Sequence, residues 1–168
     1  MEFSRLPQYS GGGYDEAEFM ISTNPGMPVR PLGMVASGGE LSRIMLAIKA
    51  VLADTDDIPT LIFDEIDTGI SGRTAQKVSE KLAYIAGNHQ VICITHLPQI
   101  AAMADHHFVI EKNSTQDSTV TSIREIEGDE ILNELARMLG GDMITESTIA
   151  NAKELKEMAA DTKQYQIN

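Results

Sequence analysis

Two short, continuously apolar runs on either side of one amphipathic segment constrain this chain most. Thr60-Leu61-Ile62-Phe63 stops abruptly at Asp64-Glu65, and residues 90–95, QVICIT, stop at His96. Runs this short, without polar alternation, suit strands buried on both faces. Between them, Ala75, Val78, Leu82 and Ile85 recur at helical spacing across 71–86, and Gly87 stands where a C′ residue belongs. Strand, helix, strand at this spacing predicts a βαβ unit and hence a parallel sheet. Ligands gather at the carboxyl ends of such strands, so Asp64, Glu65 and His96 would share one edge.

The remaining segments decorate that unit. Residues 1–30 read as strand or hairpin, with a turn at Ser10-Gly11-Gly12-Gly13, a strand over 18–22 and a close at Thr23-Asn24-Pro25-Gly26. Residues 27–35 read as poorly structured. Leu41, Ile44, Met45, Ile48, Val51 and Leu52 place a helix at about 38–53, followed by a polar loop to Pro59. A short helix is expected at 99–104, and a hairpin from 107–111 and 119–126 across 113–117. Two helices at about 129–139, capped by Gly140-Gly141, and 146–160 finish the chain.

Composition narrows the function. With 168 residues the chain fits one domain. It has 13 Lys+Arg against 25 Asp+Glu, a net charge of −12, and no basic cluster to track phosphates on DNA or a membrane surface. No apolar run approaches the ~20 residues of a membrane span, and no signal peptide is visible. The single cysteine, Cys93, excludes an internal disulfide and reads as a small hydrophobe in a strand. Residues 54–72 hold six carboxylates and no basic residue, in mid-chain where no solvated tail is expected. A bound cation or a cationic neighbour would relieve that repulsion.

Three features carry chemistry. Ser37-Gly38-Gly39-Glu40 opens a helix, whose free N–H groups and positive dipole end suit a phosphate, with glycines admitting close approach. Ser37-x-x-Glu40 also fits a plain capping box, and the two readings are compatible. Asp64 at a strand's end suits Mg²⁺, and Glu65 suits acceptance of a proton from water. The plainer reading is an acidic loop. His96 on the same edge suits a phosphate or a water. Asp105-His106-His107 reads as a solvated strand start, because adjacent residues of a strand point to opposite faces.

In order, these motifs resemble the C-terminal lobe of an ATP-binding-cassette ATPase head. Ala36-Ser37-Gly38-Gly39-Glu40 resembles the signature motif, and Thr60 to Glu65 resembles Walker B with its catalytic glutamate. Asp67-Thr68-Gly69-Ile70-Ser71-Gly72 falls at the D-loop and Thr95-His96 at the switch histidine. The wording of these motifs, with Leu97-Pro98-Gln99 and Glu134 to Gly141, is similar to the RecN family of bacterial SMC-like DNA repair ATPases over about 18–141. Ala36 departs from the leucine of cassette transporters, and the D-loop is not of transporter type.

The resemblance implies an α/β, three-layer P-loop NTPase-like lobe, with a mostly parallel sheet, flanking helices and a β-hairpin. It implies ATP and Mg²⁺ as cofactors. Asp64 would hold the metal, Glu65 would polarise water, and His96 would contact the γ-phosphate. Ser37, Gly38, Gly39 and Glu40 would cap the nucleotide of an opposite head, and Asp67 would link the two sites. The phosphate-cradling Walker A loop is absent, since no Gly is followed by Lys. The expected partners are therefore an N-terminal Walker A lobe of the same protein and a second head in an ATP-sandwiched homodimer. DNA would be met through the whole protein, in the bacterial cytoplasm, and no membrane is involved. The alternatives are the head of another SMC-like ATPase or a non-catalytic dimerisation or regulatory module of cassette-like fold.

Overall fold

The computed structural model describes residues 1–22, 26–35, 37–53, 55, 57–114, 119–141 and 143–167. The elements run β1 (Glu2–Ser10), β2 (Gly13–Glu18), β3 (Met20–Ile21), β4 (Arg30–Pro31), α1 (Leu32–Val35), α2 (Gly38–Leu52) and β5 (Thr60–Phe63). They continue α3 (Gly72–Ala86), β6 (Gln90–Cys93), α4 (Pro98–Ala101), β7 (His107–Ser114), β8 (Thr119–Ile126), α5 (Asp129–Gly140) and α6 (Glu146–Ile167).

The βαβ unit forms as expected. Strands β5 and β6 pair in parallel, Thr60 opposite Gln90 and Phe63 opposite Cys93. The Ile94 N–H donates to Phe63 O at 3.0 Å, which carries the pairing one residue past β6. Parallel character resides in this pair. The other three ladders among the described residues, β1–β2, β3–β4 and β7–β8, are antiparallel. The architecture is mixed α/β.

Helices α2 and α3 cover one face of the pair. Leu46 of α2 and Val78, Leu82 and Ile85 of α3 pack with Leu61, Phe63, Ile66 and Ile100 into one apolar cluster. Burial on both faces does not occur. Leu61 and Phe63 are buried, whereas Ile62 is 68% exposed, and Ile92 and Ile94 are also exposed. A continuous apolar run shows that both faces want cover, but not that the chain itself supplies it.

A second cluster joins α4, α5 and α6 through Ala101, Ala102, Met103, Leu135, Ala136, Ala152 and Ala159. Lys156 ties α6 to the end of α4 by donating to Ala102 O and Ala104 O. Gly141 ends α5 in the left-handed region, φ 73°, with its N–H on Arg137 O. Gly87 is not a left-handed C′ residue. It is the right-handed cap of α3, φ −62°, with its N–H on Tyr84 O. The stretch 27–35 holds β4 and α1, short elements with too few residues for a periodic signal. Expectations for 23–25, for Ala36 and for the hairpin tip at 115–117 lie outside the described residues.

Candidate functional site

The site is built where α2 begins and where β5 and β6 end. Ser37 caps α2 in a complete capping box. Its Oγ accepts Glu40 N–H at 3.3 Å, and the Glu40 carboxylate accepts Ser37 N–H at 2.8 Å and the Ser37 hydroxyl at 3.0 Å. These bonds from Ser37 hold the Glu40 carboxyl below the usual range. The simpler reading of this motif is thus present, and Glu40 is committed to the cap. The N–H groups of Gly38 and Gly39 remain the first-turn donors a helix leaves unpaired.

The same helix end is stapled onto the loop that follows β5. Ser42 Oγ donates to Asp64 O at 2.9 Å. Arg43 Nη1 donates to Ile66 O at 3.0 Å and Thr68 O at 2.9 Å. At Gly39 the approach is close enough to require glycine, whereas at Gly38 only the flexible end of Glu65 would have to move. A Cβ on Gly39 would sit 2.9 Å from Glu65 O and 3.0 Å from Thr68 Cβ, and one on Gly38 would sit 2.5 Å from Glu65 Oε2. Gly39 therefore admits this chain's own loop, a reason independent of any phosphate. Sequence reading missed Ser42 and Arg43, because their acceptors are backbone carbonyls more than twenty residues away.

Asp64 is exposed at the end of β5, and its Oδ1 accepts Glu65 N–H at 2.8 Å. Glu65 adopts φ 57°, and among the described residues it alone is left-handed without being glycine. Such a conformation costs roughly 1–2 kcal/mol for an L-residue. It is held by the turn Thr68 N–H to Glu65 O at 3.0 Å and by the Arg43 staple.

Asp67 turns inward and is 3% exposed. Its Oδ2 accepts the Thr95 hydroxyl at 2.6 Å and His96 N–H at 2.8 Å, and lies 3.0 Å from His96 Nδ1. Burial pushes the Asp67 carboxyl up, but the bonds from Thr95 and His96, with the His96 ring, outweigh it and leave it lowered. Asp64, Glu65 and His96 follow the two parallel strands at one edge, as the strand order demanded, and the start of α2 at Gly38 and Gly39 and the buried Asp67 adjoin them.

Elsewhere, Cys93 is partly buried, and desolvation, then Asp67 and Asp64, push its thiol up to about 12. The solvated-start reading of Asp105-His106-His107 fits Asp105 and His106, which are exposed, but not His107, which is partly buried with its Nδ1 unpartnered and its imidazole pushed below the usual range by burial. Asp105 pairs with Lys163 and His106 with Glu125. Among the described residues no group of three or more His, Cys, Asp or Glu could hold a metal ion by itself. No helix among them is long and apolar enough to cross a membrane.

Fold and site define a class: a mixed α/β lobe with a polar site at the carboxyl edge of a parallel strand pair. The chain is 49% identical over 151 residues to the DNA repair protein RecN of Halalkalibacterium halodurans, spanning 90% of this chain and 27% of that protein. RecN of Treponema pallidum is 50% identical over 148 residues (88% and 26%), and that of Bacillus subtilis 46% over 156 residues (93% and 27%). The chain belongs to the RecN family, matching the C-terminal part of its members. It spans about a quarter of the length of these relatives. No family model matches it. A solved chain from work on ATP-driven dimerization and DNA-stimulated activation of SMC ATPases aligns at TM-score 0.48 and 17% identity, over 74% of this chain and 81% of that one.

Proposed function

We propose that the chain is the C-terminal lobe of the ATPase head of an SMC-like DNA repair protein, acting in double-strand break repair in the bacterial cytoplasm. The observation that carries this is the unbroken edge from the Ser37 cap across Glu65 to Asp67 and His96. In this reading Glu65 accepts a proton from the attacking water, and His96 meets the γ-phosphate. Ser37 and the free N–H groups of Gly38 and Gly39 cap the nucleotide of a second head. The left-handed backbone of Glu65 supports the role, since strain of this kind persists where surroundings enforce it and clusters at functional sites. It also weighs against a non-catalytic module.

Asp64 fits Mg²⁺. That ion keeps several waters and takes only one or two carboxylates beside substrate phosphates, and Asp64 offers one exposed carboxylate oriented by Glu65 N–H. Bound there, it would supply charge neutralisation at the phosphates. The buried side chain of Asp67 acts inside its own chain, so any link it makes between two sites passes through the turn it holds. The exposed Ile62, Ile92 and Ile94 support a further lobe of the same protein as partner, one that brings the phosphate-cradling loop.

The test is Glu65→Gln in the complete protein. ATP turnover should fall about 100- to 10,000-fold, as for loss of a general base, while ATP-dependent association of heads is retained. Turnover equal to the parent protein would remove Glu65 from the chemistry and the reading with it.

A further inference from the structure

We propose that Arg43 is a positioning residue for Glu65: it clamps the loop that follows β5 to the first turns of α2, so that Glu65 and the Gly38-Gly39 turn are presented as one unit. What the two meet rests on the ATPase-head reading above; the clamp does not.

The clamp takes the loop at every second carbonyl. Ser42 Oγ donates to Asp64 O at 2.9 Å, and Arg43 Nη1 donates to Ile66 O at 3.0 Å and to Thr68 O at 2.9 Å. A guanidinium Nη carries two hydrogens. Both of those on Nη1 are used by carbonyls two residues apart, one on each side of Asp67.

The contact is tight on the helix side. Gly39 is buried, and a Cβ there would lie 3.0 Å from Arg43 Nη1 and 2.9 Å from Glu65 O. Glu65 O itself accepts Thr68 N–H at 3.0 Å, which closes the turn. On the other side of the loop, Asp67 Oδ2 accepts the Thr95 hydroxyl and His96 N–H. The loop is thus held between α2 and the end of β6.

Glu65 depends on that hold. Its φ of 57° is unfavourable for an L-residue, and a freed loop would relax to the right-handed or extended region. That change would swing its Cβ, and the carboxylate with it, in a new direction. Hydrogen bonds from an ionised donor are among the stronger ones, which suits Arg43 to oppose the relaxation. Residues 54–72 hold six carboxylates and no base, so a cation from outside the block also eases their repulsion. A shift of the start of α2 therefore carries Glu65 with it. In the head proposed above, the turn that meets the second head's nucleotide and the base of its own site move together.

Two variants of the complete protein test this. Arg43→Met keeps an apolar stem and has no donor, whereas Arg43→Lys keeps several donors on one terminal nitrogen, as both bonds require. Hydrogen exchange reads the clamp directly. In Arg43→Met the Thr68 amide should exchange about tenfold faster or more, while the Ile94 amide, in the strand pair, keeps the parental rate. Arg43→Lys should stay within about threefold of the parent at both amides. Turnover reads the consequence. Arg43→Met should lower kcat for ATP about 100-fold with KM little changed, and Arg43→Lys should recover most of that loss. Combined with Glu65→Gln, Arg43→Met should change the residual turnover less than about twofold, because the group it positions is gone. Parental Thr68 exchange in Arg43→Met, or equal acceleration at Thr68 and Ile94, overturns the proposal. So does parental kcat in Arg43→Met, an Arg43→Lys variant as slow as Arg43→Met, or a full further loss in the Glu65→Gln background. If Glu65→Gln itself turns over normally, the ATPase-head reading fails, and Thr68 exchange alone then decides whether Arg43 holds the turn.

Discussion

The two faces of the β5–β6 pair are made of the same kinds of residue and meet different surroundings. Leu61 and Phe63 look toward α2 and α3 and are buried, whereas Ile62, Ile92 and Ile94 look the other way and are exposed. A sheet face meant for water carries polar residues at alternate positions. The open face here carries isoleucines. Sequence writes the demand for cover equally on both sides, and only the packing shows which side this chain covers. The functional edge lies where the covered face ends, so the α2 and α3 packing sets the site.

Breaking the covered face should have the largest effect. Ile85→Ala, at a fully buried position, should cost about 2–5 kcal/mol in urea or thermal unfolding. Gly39→Ala should come next, at about 1–3 kcal/mol, because the new methyl meets backbone and Thr68 Cβ that cannot swing away. Gly38→Ala meets only the far end of Glu65 and should leave stability nearly unchanged while displacing that carboxylate. Ile62→Ala should have the smallest effect, within about 0.5 kcal/mol in this chain. In the complete protein the same change should cost more than about 1 kcal/mol. Equal costs in both settings would mean that nothing covers the open face.

What was legible followed from periodicity and caps. The bounds of β5, the βαβ order, the Ser37-Glu40 box and the edge shared by Asp64, Glu65 and His96 all rest on local pattern or on strand order. What was hidden depends on distant partners. Ser42 and Arg43 bond to backbone carbonyls, which every residue has, so their targets leave no trace in residue type. The inward turn of Asp67 needs Thr95, 28 positions away, and from sequence Asp67 reads as one more acid in an acidic block. The left-handed Glu65 was hidden too, because glycine or asparagine would be expected at such a φ.

The most direct test of the account is ATP hydrolysis by the 168-residue chain, alone and with the remainder of the protein supplied as a separate polypeptide. The account predicts no turnover by the chain alone, and turnover on mixing that is lost with Glu65→Gln. Robust, Glu65-dependent turnover by the chain alone would contradict it.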